Sequence, residues 1–303
     1  MKILLAGATG AIGQPLIHLL ISKKHDVYGI TQSKERAALI AAKGATPVIL
    51  NILEKEAVDL AVAEIAPDVI IDMLTHLPKE YTPDAMREAS VLDAKVRLEG
   101  GAHLLSASQK YGVKRYIAQS SAFWYARGKG LADESISFAF DASPGIAAGT
   151  RVYAEIERRI LTLPAIEGVA MRFGFFYGPG TWFYPEGNMA EQLRKKQFSG
   201  IGRGEGIWNF VHIEDAAKAV VAALLCPSGA YNIVNDYPSA MNKWLPHFAS
   251  YVGAEAPSWI SEEEGLKESG ADAVYYATQL RGASNKKAKE VLAFKPRTFE
   301  WFQ

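Results

Sequence analysis

The stretch Lys2-Ile3-Leu4-Leu5-Ala6-Gly7-Ala8-Thr9-Gly10-Ala11-Ile12-Gly13 decides the fold. A short apolar run meets three glycines spaced three apart, and an amphipathic segment, Leu16-Ile17-His18-Leu19-Leu20-Ile21, follows. That order is strand, glycine turn and helix. The spacing meets three needs of a dinucleotide site: a tight turn, backbone close to a pyrophosphate, and a helix packed tightly on its strand. The helix start then offers N–H groups and a positive dipole end to the phosphates. The first residues superficially resemble a signal peptide, but the glycine turn that follows at once has the better explanation.

Working outward, a second apolar run, Val27-Tyr28-Gly29-Ile30, precedes a helical pattern over 34–43. A third, Pro47-Val48-Ile49-Leu50, precedes 54–65, and a fourth, Val69-Ile70-Ile71, ends at Asp72. A long helical pattern over 83–111 leads to a fifth strand, Arg115-Tyr116-Ile117-Ala118, running into Gln119-Ser120-Ser121. Apolar strands alternating with helices predict an α/β fold, a doubly wound parallel (Rossmann) sheet covered on both faces. Past residue 165 the alternation continues, with loops rich in Gly, Pro and aromatics at 174–188 and 200–209. The expected organisation is a dinucleotide-binding core over 1–165. A small C-terminal α/β substrate lobe over 166–303 is interleaved with the last strands of the core sheet.

Composition excludes other classes. Thirty-three basic and 33 acidic residues give zero net charge, which removes the footprint of a nucleic-acid or anionic-membrane binder. Hydrophobic residues at 49% and charged residues at 22% argue for a packed core against disorder. No apolar run reaches the roughly 18 residues of a membrane span. One cysteine, Cys226, permits neither a disulfide framework nor a thiolate zinc site, and fits a reducing, cytoplasmic compartment. No metal is expected. A small-molecule substrate is the expected partner, and a homodimer stays open.

The tip of the second strand bears on the nucleotide. An NAD site usually carries Asp or Glu there for the ribose 2′-OH. Here Thr31-Gln32-Ser33-Lys34 and then Arg36 offer hydroxyls and cations that suit a 2′-phosphate, so NADP is expected, with NAD as the alternative.

Five segments then carry a resemblance. They are 7–13; Tyr116-Ile117-Ala118-Gln119-Ser120-Ser121-Ala122-Phe123-Trp124-Tyr125; Tyr153; 172–180; and Asn209-Phe210-Val211-His212-Ile213-Glu214-Asp215-Ala216-Ala217, with Asn285-Lys286-Lys287-Ala288-Lys289 and Phe294-Lys295-Pro296 resembling a closing helix and turn. The chain resembles a short-chain dehydrogenase/reductase of the extended or atypical class, the NAD(P)-dependent epimerase/dehydratase-like family. The resemblance implies that Tyr153 exchanges the proton on the substrate oxygen while Ser121 holds that oxygen. It implies cofactor contacts from Gly7, Thr9, Gly10, Ala11, Ile12 and Gly13; from Thr31, Ser33 and Lys34; and from Asn51, Ile52 and Leu53 beside the adenine. Leu74, Thr75, Gln119, Ser120, Phe175 and Phe176 complete that set nearer the nicotinamide.

The family's Tyr-x-x-x-Lys reads here Tyr153-Ala154-Glu155-Ile156-Glu157. Glu157 is expected to accept from the ribose hydroxyls in the lysine's place, and its charge to raise the Tyr153 pKa. A neutral Tyr is a competent acid and a poor base, which favours carbonyl reduction. His76, Phe123, Trp124, Tyr177, Trp182 and Trp208 are expected at the substrate, giving an apolar, aromatic pocket, and loop 178–187 is expected to act as a lid. The expected function is an NADP(H)-dependent oxidoreductase on a small apolar or aromatic substrate. An NAD-dependent sugar-nucleotide epimerase or dehydratase and a non-catalytic NADP sensor are the alternatives.

Overall fold

The computed structural model describes residues 1–302. β1 (Lys2–Ala6), β2 (Asp26–Thr31), β3 (Thr46–Ile49), β4 (Val69–Asp72), β5 (Arg115–Ser121) and β6 (Glu167–Phe173) alternate with helices. These are α1 (Gly13–Ser22), α2 (Lys34–Ala41), α3 (Lys55–Ile65), α4 (Pro83–Lys95), α5 (Gly101–Tyr111) and α6 (Pro144–Leu161). Together with a later strand, Gly229–Ile233, they form one seven-stranded sheet. Its order is Gly229–Ile233, β6, β5, β4, β1, β2, β3, with every pairing parallel. The chain leaves β1 first toward β2 and later toward β4, so the strand order reverses between β1 and β4. Ligands of open α/β sheets bind in the crevice outside such a switch point, at the carboxyl ends of the strands.

Burial explains the layers. Ile3, Leu5, Ile71, Ile117 and Met171 face one apolar cluster, packed under α1 and the helix Ile213–Ala222. Leu4, Ala6, Ile70, Tyr116 and Ala170 face the other, under α3, α5 and α6. Each fully buried Leu or Ile contributes on the order of 1.5–3 kcal/mol, and the two-sided burial accounts for the near-continuous apolar strands. A third cluster belongs to the C-terminal lobe and is dominated by aromatics, with Phe183, Trp208, Phe210, Trp244, Phe248 and Trp301 in mutual contact.

One departure from the expected helix over 83–111 matters for the site. Between α4 and α5 the chain makes a π-helical turn, Val96–Gly100, in which Val96, Arg97 and Gly100 are all buried. Crowding against the sheet accompanies it: a Cβ on Gly100 would lie 3.0 Å from Ile52, and one on Gly101 3.1 Å from the Asp72 carboxylate. π-Turns are rare and concentrate at functional sites. Among the described residues no helix is long and apolar enough to cross a membrane, and no cluster of three His, Cys, Asp or Glu is placed to hold a metal.

Candidate active site

The glycine turn closes on itself as the spacing requires. Gly7 has φ +80°, and a Cβ there would sit 2.4 Å from the Met73 carbonyl oxygen. A Cβ on Gly13 would sit 2.3 Å from the Gly7 carbonyl oxygen, so the start of α1 lies directly on the turn. The Gly10 N–H donates to the Gly7 carbonyl at 3.0 Å, and Gly10 itself is exposed. Thr9 and Ala11 are half-buried beside it, and the helix start at Ile12 has no side-chain cap. This is a cradle of bare backbone at a helix N-terminus, and it fits a dinucleotide pyrophosphate.

At the β2 tip, Thr31 is buried, and Ser33 caps α2 by accepting the Arg36 N–H at 3.1 Å. Lys34 and Arg36 stay exposed. Asn51 joins its own loop to the β2 tip: its Oδ1 accepts from Gln32 and from the Leu53 N–H, each at 3.1 Å. Ile52 and Leu74 are buried beneath this edge, Leu53 is half-buried, and Thr75 and His76 are exposed beyond β4. His18 is exposed, because α1 turns that position to solvent.

The end of β5 corrects the expectation for residue 157. Glu157 is buried and held by a fork-to-fork pair with Arg172, at 2.7 Å to Nε and 2.6 Å to Nη2. The Ser120 hydroxyl donates to the same carboxylate at 2.5 Å. Ser120 and Arg172 are register partners on β5 and β6, so one helical turn below Tyr153 the α6 side chain meets the sheet, away from the cleft. Both Glu157 oxygens thus accept from Arg172, and one of them from Ser120 as well. The expected cause of the Tyr153 shift also changes. Burial raises the Tyr153 pKa, Arg97 opposes it, and Asp93 adds to it.

Tyr153 is buried, with the Arg97 guanidinium 5.1 Å from its ring centre and the Trp124 ring 5.6 Å away. Ser121 Oγ accepts the Phe123 N–H at 3.4 Å, and no hydrogen bond joins it to Tyr153. Gln119 lines a small cavity with Asp72, Leu74 and Arg97 at the ends of β4 and β5.

An aromatic wall stands beside Tyr153. Phe123 stacks on Phe175 at 4.4 Å, and Trp124 donates its indole N–H to the Tyr276 hydroxyl at 2.9 Å. A Cβ on Gly149 would lie 2.5 Å from the Trp124 ring, so the indole lies on α6 where any larger residue would stand. Trp182 stacks on Tyr81 at 4.8 Å and donates to the Lys79 carbonyl at 3.0 Å, which ties the 178–187 loop to the segment after β4. Phe176 leans on Phe173 in the core. Two expected substrate contacts are corrected. Trp208 is 1% exposed and donates to the Tyr276 carbonyl at 2.8 Å, while Tyr177 is 1% exposed between His212 and Phe299. Both fill the lobe's core. Within the 178–187 loop, Phe183 is buried in that core against Phe210. The sequence reading missed Arg97, Gly149, Tyr81 and Tyr276. Arg97 carried a signal, a cation on the same helical face as Leu104 and Leu105.

Comparisons with known proteins agree with this architecture. The sequence pattern of the NAD dependent epimerase/dehydratase family matches residues 3–235. The chain is 34% identical over 304 aligned positions to a 3-diazoavenalumate denitrifying reductase of a Streptomyces species, covering 99% of this chain and 98% of that protein. It is 24% identical to a 2-alkyl-3-oxoalkanoate reductase of Stenotrophomonas maltophilia, over 84% of this chain and 76% of that one. Its fold matches that of Bacillus cereus UDP-glucuronic acid 4-epimerase, solved with UDP-glucuronic acid and NAD, with a TM-score of 0.74 at 17% identity, over 100% and 96% of the two chains. The chain belongs to the NAD dependent epimerase/dehydratase family, and within it is an NAD(P)-dependent oxidoreductase of the short-chain dehydrogenase/reductase type.

Proposed function

We propose that the protein is an NADPH-dependent reductase of a small aromatic substrate. The observation that carries this reading is the pair of half-buried rings, Phe123 and Trp124, beside Tyr153 after β5, backed from the lobe's core by Phe175 and Tyr276. Such a surface takes a flat ring by stacking and offers little to a nucleotide-sugar diphosphate. When bound, the nicotinamide supplies the hydride. Tyr153, kept neutral by burial, donates the proton to a substrate oxygen that Ser121 holds. Steady-state NADPH oxidation on a panel of aromatic ketones, aromatic diazo acids and UDP-sugars tests the reading. Turnover confined to the UDP-sugars would overturn it.

A second reading rests on one finding. The relative aligned along nearly the whole chain is named for a diazo substrate and for loss of nitrogen. Replacing an aryl diazonium group by hydrogen, with release of N2, needs no proton from Tyr153. The two readings share the cofactor and the aromatic wall, and differ in their dependence on that hydroxyl.

Two predictions belong here. Lys34 and Arg36 stand exposed at the β2 tip, so NADPH should bind about tenfold or more tightly than NADH, the worth of one charge-assisted hydrogen bond. Fluorescence titration of both measures it, and tighter NADH would contradict it. Trp182→Ala should raise KM for the aromatic substrate about tenfold with NADPH affinity unchanged, since an aromatic contact of this size is worth on the order of 1.5–3 kcal/mol. An unchanged KM would remove Trp182 from the substrate wall.

A further inference from the structure

Arg97 is buried, its side chain only 4% exposed, on the π-turn between α4 and α5. Its Nε donates to the Asp93 carboxylate at 2.7 Å. The same carboxylate accepts the His76 backbone N–H at 2.6 Å, which fixes the segment after β4 and the guanidinium together. The two terminal nitrogens of Arg97 have no hydrogen-bond partner among the described residues, and they are not sealed in the protein. They border the small cavity lined by Asp72, Leu74, Ala118, Gln119 and Ile156. A guanidinium taken out of water with most of its donors unpaired is costly unless something completes it.

Neither neighbouring acid does so. Asp93 is used at Nε, and the Asp72 oxygens are taken by the Leu74 N–H at 3.1 Å and the Tyr116 hydroxyl at 2.8 Å. The cavity lies at the carboxyl ends of β4 and β5, next to the switch point and between the glycine cradle and Tyr153.

We propose that Arg97 is the cation of the cofactor cleft. Its free N–H groups hold the hydroxyls of the ribose next to the nicotinamide, from the wall opposite α6. It thereby takes the role that the resemblance gives to the lysine of Tyr-x-x-x-Lys, while Glu157 at that position is paired with Arg172. The assignment rests on the cofactor reading above and adds to it the residue that reads the second ribose. A guanidinium fork suits two adjacent hydroxyls better than an ammonium does, because its donors lie in one plane at fixed spacing.

The experiment compares two ligands on purified wild-type protein and Arg97→Met, by fluorescence for NADPH and by competition for adenosine 2′,5′-bisphosphate, which lacks the second ribose. The expected result is an NADPH affinity lowered about tenfold or more, for two lost hydrogen bonds to a charged group, with bisphosphate affinity unchanged. Should Arg97→Met fail to fold, Arg97→Lys carries the same comparison, with a smaller loss for NADPH and again none for the bisphosphate. Retained NADPH affinity, or equal loss for both ligands, would overturn the assignment. The wild-type titration keeps the two readings apart. A wild type that binds NADPH while Arg97→Met does so equally well overturns the Arg97 assignment alone, and a wild type that binds neither NADPH nor NADH overturns the cofactor reading with it.

Discussion

Phenylalanine at position 153 should lower kcat for an aromatic ketone by about 10²–10⁴-fold, the range for loss of a positioned general acid, with NADPH affinity nearly unchanged. The side chain is buried against Trp124 and under Arg97, so removing one oxygen leaves its packing in place. The pH dependence follows from the direction of its shift. Burial moves the Tyr153 pKa above its ordinary value of about 10, and the acid form is lost only as pH rises through that raised value. The ketone rate should therefore be flat in kcat between about pH 6 and 9 and decline only on the alkaline side. A decline on the acid side of neutrality, in stopped-flow reduction, would assign the proton to another group. A drop below about fivefold in Tyr153→Phe, with full activity on a diazo acid, would favour the reading that needs no proton.

Glu157→Lys should damage the fold and leave no gain in the oxidative direction. The pattern Tyr-x-x-x-Lys invites the opposite expectation, a restored lysine that activates the tyrosine. The structure puts that carboxylate in a buried pair with Arg172, with the Ser120 hydroxyl on the same oxygen as Nε. Removing one member of a buried pair costs about 3–5 kcal/mol, because the other charge is left unpaired, and a second cation adds repulsion. A melting temperature lower by about 5–10 °C is expected, by differential scanning fluorimetry. Glu157→Gln, which keeps hydrogen bonds to Arg172 and Ser120 without the charge, should lose less. A Glu157→Lys protein that melts like wild type and oxidises alcohols faster would reinstate the lysine-like role.

These two positions show what was legible before the fold was known. The segment 2–13 could be read because the Gly13 constraint is local, set by Gly7 and Ala8 within the turn, whereas the crowding of Gly7 comes from Met73, just after β4. The parallel sheet could be read because strands buried on both faces leave long apolar runs. Glu157 could not, since its partner, Arg172, lies on a strand that only the tertiary fold brings beneath α6. Tyr177, Trp182 and Trp208 look alike in sequence, as aromatics in Gly-rich loops. Packing alone separates the half-buried Trp182 from the other two, which fill the lobe's core. Arg97 was legible only as an anomaly, a cation on an apolar helical face, until the π-turn set it beside Tyr153.

Tyr153, the aromatic wall and Arg97 all bear on one claim, that this cleft passes hydride from NADPH to a small aromatic substrate. The direct measurement is single-turnover reaction of the protein with NADPH deuterated at the transferring C4 position and an aromatic acceptor, with mass analysis of the product. One deuterium is expected in the reduced aromatic compound for each NADPH consumed. Protein that binds NADP⁺ and NADPH with equal affinity and transfers no deuterium to any acceptor, or that interconverts UDP-sugars on a retained NAD, would contradict it.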